Sequence, residues 1–219
     1  MTKRLSLCIS LFLLFSLSLT AQKRTTMATL YREFKPSTIT LKDGRTLKQS
    51  LTNVFLKNSS LLYLKGEYTM EANMENIVAV DFDDRSFVNL NGQLAFLIDS
   101  VGKNRLFCIE LFDQETYERN LRNNVNISSV TFGGDQLSTS TVDLNNEDDY
   151  KLPVFRHYYY LLDGAFVKVH ERELMRKIDK EQRTMMKRII GLPDFSWQNE
   201  SSLMQLLKAI SEKSKGVEE

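Results

Sequence analysis

Turn chemistry recurs so closely between residues 38 and 112 that no helix fits between neighbouring apolar runs. Ile39 and Leu41 precede Lys42-Asp43-Gly44-Arg45, and residues 51–56 precede Lys57-Asn58-Ser59-Ser60. Residues 61–64 meet Lys65-Gly66, after which Tyr68, Met70 and Ala72 alternate with Thr69, Glu71 and Asn73. Residues 77–82 end at Asp83-Asp84, 87–90 at Asn91-Gly92 and 94–101 at Gly102-Lys103-Asn104, and 106–112 closes the series. Asp-Gly and Asn-Gly between apolar runs are hairpin signals. A parallel pair needs a crossover of a dozen or more residues, so a parallel sheet is excluded. About eight short strands at this spacing predict a small antiparallel barrel or sandwich over residues 37–132.

The rest of the chain predicts a different texture. Asp113 can cap a short helix at 114–123, with Tyr117 and Leu121 four apart on one face. Residues 125–132 read as a further strand, and 133–152, rich in Gly, Ser, Thr, Asn and Asp, as a loop or linker. Residues 155–162, Asp163-Gly164 and 165–170 form the clearest hairpin. In residues 171–190, Leu174, Ile178, Met185 and Ile189 share a helical stripe that Gly191-Leu192-Pro193 stops. Asn199 can cap a second helix whose apolar face holds Leu203, Leu206, Leu207 and Ile210. The expected class is β-rich α+β: the barrel or sandwich, then a β-hairpin and a C-terminal pair of helices over 153–219.

The N-terminus predicts export. Lys3 and Arg4 precede an uncharged stretch that is almost wholly Leu, Ile, Phe and Ser, and Ala21-Gln22 offers a cleavage point after a small residue. These are the parts of a secretory signal peptide, 1–21, and the run is shorter than the roughly 20 apolar residues of a spanning helix. Cys8 lies inside the apolar core behind bulky Leu7, which is no place for a lipid-attachment cysteine. Polar residues 22–36 read as a leader or linker. Cleavage lowers Lys plus Arg from 29 to 27 against 28 Asp plus Glu, so the expected mature charge is about −1 and nothing draws the chain to nucleic acid. Only Cys108 survives cleavage, so no internal disulfide can form. It sits in the apolar run 106–112 with no histidine nearby, which reads as a core residue rather than a nucleophile.

No phosphate-binding glycine loop, no Gly-x-Ser-x-Gly elbow and no paired cysteines are present, and no cofactor is expected. His170-Glu171-Arg172-Glu173 begins like a zinc-protease helix, but Leu174 stands where the second histidine must be. Asp81-Phe82-Asp83-Asp84-Arg85 begins like a calcium loop, but Ser86 replaces the glycine and Gly92 the closing glutamate. The basic helix 171–190 could touch an anionic membrane surface, although its acids interleave with its bases. Tyr158, Tyr159 and Tyr160 cannot form one platform, because alternation turns Tyr159 away.

One arrangement stands out. With Asp163-Gly164 as a two-residue turn, Leu162 pairs with Ala165, and His157 then falls opposite His170 in a non-hydrogen-bonded pair. Two imidazoles there could chelate a transition metal, with Glu171 or Glu173 as a third ligand, or repel one another at low pH. The plainer expectation is two surface histidines at a strand end, since firm zinc sites need more ligands.

With Thr20-Ala21-Gln22, the Leu41-Lys42-Asp43-Gly44-Arg45 hairpin and the Tyr159-Tyr160-Leu161-Leu162-Asp163-Gly164 hairpin leading into charged helices, the chain resembles uncharacterised exported β-rich envelope proteins of Gram-negative bacteria. The resemblance implies location in the periplasm or outer envelope and no reaction. The expected function is a non-catalytic binding or structural module for an envelope protein or ligand. The alternative is an enzyme with an unrecognised site, metal-assisted at His157 and His170.

Overall fold

A computed structural model describes residues 27–122, 131–132, 135–136 and 152–212. The expected cleavage point at Ala21 and Gln22 and most of the 133–152 linker lie outside the described residues.

The eight expected strands are all present: β1 (Lys35–Leu41), β2 (Thr46–Phe55), β3 (Ser60–Lys65), β4 (Tyr68–Glu71), β5 (Ile77–Asp81), β6 (Ser86–Leu90), β7 (Gln93–Val101) and β8 (Asn104–Phe112). Helix α1 (Gln114–Arg122) follows, with the Thr116 N–H donating to the Asp113 carboxylate (2.9 Å) as its cap. Of the expected strand at 125–132, the described part is β9 (Thr131–Phe132), paired with β10 (Asp135–Gln136) in a two-stranded ribbon. Strands β11 (Val154–Leu162) and β12 (Ala165–Lys168) then lead into α2 (Glu171–Lys177), α3 (Lys180–Ile190) and α4 (Glu200–Glu212).

Ten strands make one antiparallel sheet in the order β12-β11-β8-β7-β6-β5-β1-β2-β3-β4. Its tight turns follow the sequence. Asn91-Gly92 and Asp163-Gly164 both take positive φ at both positions (53° and 89°; 48° and 82°), the backbone a two-residue hairpin needs for its twist. The β11–β12 hairpin does not stand apart. β11 runs along β8 from Val154↔Phe112 to Leu161↔Arg105 and continues the same sheet.

The sheet curls without closing. Ile39, Val54, Leu61, Ile77, Val80, Phe87 and Leu94 point into one shared core. Across it the hairpin between β2 and β3 reaches β7: Leu94 N–H donates to Ser59 O (2.7 Å), and Ser59 Oγ donates to Leu94 O (2.8 Å). These bonds, with Gln93 Nε2 to Asn58 O (3.3 Å) and Phe112 N–H of β8 to Leu56 O (2.8 Å), stand in place of the continuous ladder that a closed barrel would need. The expected β-rich α+β class holds, and in place of a barrel or sandwich the strands form one open, coiled antiparallel sheet.

The same face of β7, β8 and β11 continues beyond that core and is covered by helices. Leu106, Cys108, Tyr158 and Tyr160 pack against Leu174, Met186, Leu203, Leu206 and Leu207. Tyr160 Oη donates to Leu203 O (2.6 Å), and Asn104 Nδ2 to Ser211 Oγ (2.9 Å), which fixes α4 across the sheet.

The expected continuous helix 171–190 is two helices. Ile178 turns to extended backbone (ψ 154°) and is buried, while Asp179 caps α3 in a reciprocal box with Gln182. An aspartate and a glutamine that each accept an orphan N–H from the other's backbone at a helix start compete with helix continuation. The basic face assigned to one helix is thus divided between two axes. Among the described residues, no helix is long and apolar enough to cross a membrane.

Candidate functional site

The histidine pair depends on the hairpin register, and that register is as expected: Leu162↔Ala165 through Tyr159↔Lys168, with Val169 N–H donating to Tyr158 O (2.9 Å). The ladder stops one step short of the histidines. His170 N–H turns back onto Lys168 O (2.9 Å), and its Nδ1 accepts the Arg172 N–H (3.3 Å) as the cap of α2. On its other edge, His157 is paired with Ile109 of β8. Among the described residues, no group of three His, Cys, Asp or Glu side chains is placed to hold a metal ion.

Burial, and then the charge of Lys168, hold the His157 imidazole below its ordinary pKa of 6.5. The unfolded chain therefore binds a proton more readily at this position than the folded one. Its contribution to stability should be intact above pH 6.5 and diminish as the pH falls below that. Urea midpoints for the wild type and His157→Asn should converge as the pH is lowered; a constant gap from pH 8 to 5 would refute the assignment.

Cys108 is fully buried between Phe96 and Tyr158, and burial pushes its thiol well above the usual range. A thiolate is the nucleophile, so Cys108 should resist alkylation in the folded chain and react at once in denaturant. Fast labelling under native conditions would contradict this.

Two residues beyond Cys108 on the same face lies a carboxylate that the apolar pattern of β8 concealed. The Glu110 side chain is 8% exposed and accepts from Arg156 Nε (3.0 Å) and Arg85 Nη1 (3.3 Å). Arg156 also reaches Glu200 at the start of α4 (3.6 Å), and Arg85 lies over the Phe96 ring (4.8 Å). The Tyr158 phenol, pushed up to about 12 by burial and by its acidic neighbours, donates to the same Glu200 oxygen (3.5 Å). A second group sits beyond the β5–β6 turn, where Tyr31 Oη donates to Asp84 (2.8 Å) and Lys35 approaches Asp83 and Asp84. Charges of both signs are paired within each group. The first joins the sheet to α4 with two carboxylates against two guanidinium groups, whereas the second has two carboxylates against one ammonium and leaves Asp83 largely exposed.

Among the described residues, β4 and β12 end the sheet with open edges, and a third stretch of strand backbone is open on one side. β2 pairs with β3 only from Thr52↔Tyr63 to Phe55↔Ser60. β3 runs on to Lys65 beside β4, while β2 stays with β1, its register shifting between Lys35 and Ser37. The sheet forks there. All of residues 46–51 are exposed, and two are leucines, Leu47 (45%) and Leu51 (37%). Leu41 N–H donates to Arg45 O (2.9 Å), which makes that pair hydrogen-bonded. Alternation then turns the N–H and C=O of Leu47 and Gln49 towards β1, and those of Thr46 and Lys48 outwards into the fork. Apart from the 51–56 run, sequence reasoning saw nothing here. Thr46-Leu47-Lys48-Gln49-Ser50 is mainly polar, and the alternation of Leu47 with its neighbours was the available signal.

The chain matches no family model, no curated protein and no solved structure.

Proposed function

We propose that the chain is an exported, non-catalytic binding module of the cell envelope, whose partner seats on the open edge of β2. The observation that carries this reading is a six-residue strand edge, exposed throughout, which adds a third open edge to those of β4 and β12 at the ends of the described sheet. Unpaired edges are templates for another chain. The states of the titratable groups also favour binding over catalysis. The Cys108, Tyr158 and Tyr160 protons are held tightly by burial, and the Glu110 carboxylate is occupied by two guanidinium groups. Export is supported by the basic start, the apolar stretch and Ala21-Gln22.

A photo-reactive residue at Leu47 and, separately, at Phe155 on the far side of the sheet tests this in cells. The expected result is a discrete adduct from position 47 alone, on a chain whose N-terminus is Gln22. Adducts of equal yield from both positions, or an unprocessed chain retaining Met1, would reject the reading.

A further inference from the structure

We propose that a groove on the outer face of β1, β2 and β5 binds a free α-amino acid, with its ammonium group at Asp81 and its carboxylate at Lys48. The site is built from side chains on a face of the sheet, so it does not depend on a partner at the β2 edge.

Sheet geometry places the two charges. Thr38 is the cross-strand partner of Lys48 on one side and of Asp81 on the other, so the three residues form one row on one face. Their neighbours Ile39 and Val80 point the other way, into the core, which makes this row the outer one. Strands lie about 4.8 Å apart, so Thr38 holds the backbones of Lys48 and Asp81 about 10 Å from each other. Among the described residues, neither Lys48 nor Asp81 has an ion-pair partner, and both are exposed.

The surface around the row is concave. An open groove of about 620 Å³ is lined by Pro36, Thr38, Lys48, Ser50, Asp81 and Asp83. β2 runs three residues, from Gln49 to Thr52, where β1 runs two, from Lys35 to Ser37. Such a bulge bends its strand and re-aims the side chains beside it.

The two ends of the groove differ in sign. At β5, Asp81 and Asp83 offer carboxylates, and Asp83 is 77% exposed with Lys35 no nearer than 3.9 Å. At β2, Lys48 offers an ammonium, with Ser50 lining the groove beside it. The Thr38 hydroxyl between them can donate or accept. An anion alone would meet the two carboxylates, and a cation alone would meet Lys48. A molecule carrying both charges close together satisfies both ends. In an α-amino acid only two bonds separate the ammonium nitrogen from the carboxylate carbon. A charge-assisted contact of about 2.8 Å at each end then fits between a short aspartate and a flexible lysine on this row.

Amide NMR spectra of the isotope-labelled chain, purified with the N-terminus the cell leaves on it, test the site. The probe is L-alanine. N-acetyl-L-alanine lacks the ammonium, L-alanine amide lacks the carboxylate, and phosphoethanolamine, the headgroup of a common lipid, carries phosphate in its place. L-alanine should shift the amides of Thr38, Lys48 and Asp81 saturably, with a dissociation constant on the order of 1 mM because the charges are exposed. Each half-ligand should bind at least about tenfold more weakly, the loss of one hydrogen-bonded charge. Lys48→Asp and Asp81→Lys should each abolish binding, and the two together should restore it with the ligand turned round. An otherwise unchanged spectrum shows that each variant keeps the fold. No saturable shift, a half-ligand that binds as well as L-alanine, or a double variant as silent as the single ones would overturn the site. Tighter binding of phosphoethanolamine than of L-alanine would overturn the amino-acid assignment.

Discussion

Leu206→Ala should lower the stability of the folded chain by about 3 kcal/mol, the typical loss for a fully buried leucine whose surroundings relax only in part. Leu206 has no exposed surface and sits where α4 meets the sheet, among Leu106, Tyr160, Leu174 and Met186. The cavity would open between two rigid layers, which Tyr160 Oη on Leu203 O and Asn104 on Ser211 hold at a fixed spacing, so collapse around the void is limited. The neighbouring exposed Gln205→Ala is the control and should change stability by less than about 0.5 kcal/mol. Urea unfolding at an unchanged slope measures both. A Leu206→Ala midpoint equal to that of Gln205→Ala would mean that the helices do not depend on this contact.

Glu110→Ala is expected to cost about 2–3 kcal/mol, below the 3–5 typical of breaking a buried ion pair. The discount comes from the two arginines. Their side chains are 38% and 46% exposed, so each guanidinium can regain water when its carboxylate is removed. Replacing the whole group by apolar side chains, Glu110→Leu with Arg85→Met and Arg156→Met, should recover most of the loss, because no charge is then left without a partner. If the triple variant is as unstable as Glu110→Ala, the loss is one of packing at position 110 and the charge cluster is not its cause.

The strands were legible because their punctuation is local. Asp43-Gly44, Asn91-Gly92 and Asp163-Gly164 impose their turns whatever lies around them, and Asp113 and Asn199 cap their helices through bonds reaching only three residues ahead. Closure was not legible, since it depends on whether the hairpin near Ser59 meets Leu94 by two bonds or by a ladder, a matter of sheet curvature over some 35 residues of chain. The break at Ile178–Asp179 was written in the capping box but masked by an apolar stripe running through it.

The candidate site was less legible for the same reason. The hairpin register that aligned the histidines is present, and the ring of His170 accepts the Arg172 N–H, a bond that a strand pattern does not announce. Glu110 looked like a lone polar residue in an apolar strand because Arg85 and Arg156 lie 25 and 46 residues away in sequence. The fork at Thr52 is a property of three strands together, and no window within one strand contains it.

The side-by-side pairing of β8 and β11 has a consequence for the continuity of the chain. The two strands are held by eight registered partners, each pair made by the strands' own residues. Lengthening a connection adds closure entropy only logarithmically. Severing the backbone between residues 123 and 151 should therefore yield two pieces that copurify as a nicked whole, and the same stretch is where a foreign domain could be spliced in with the sheet intact.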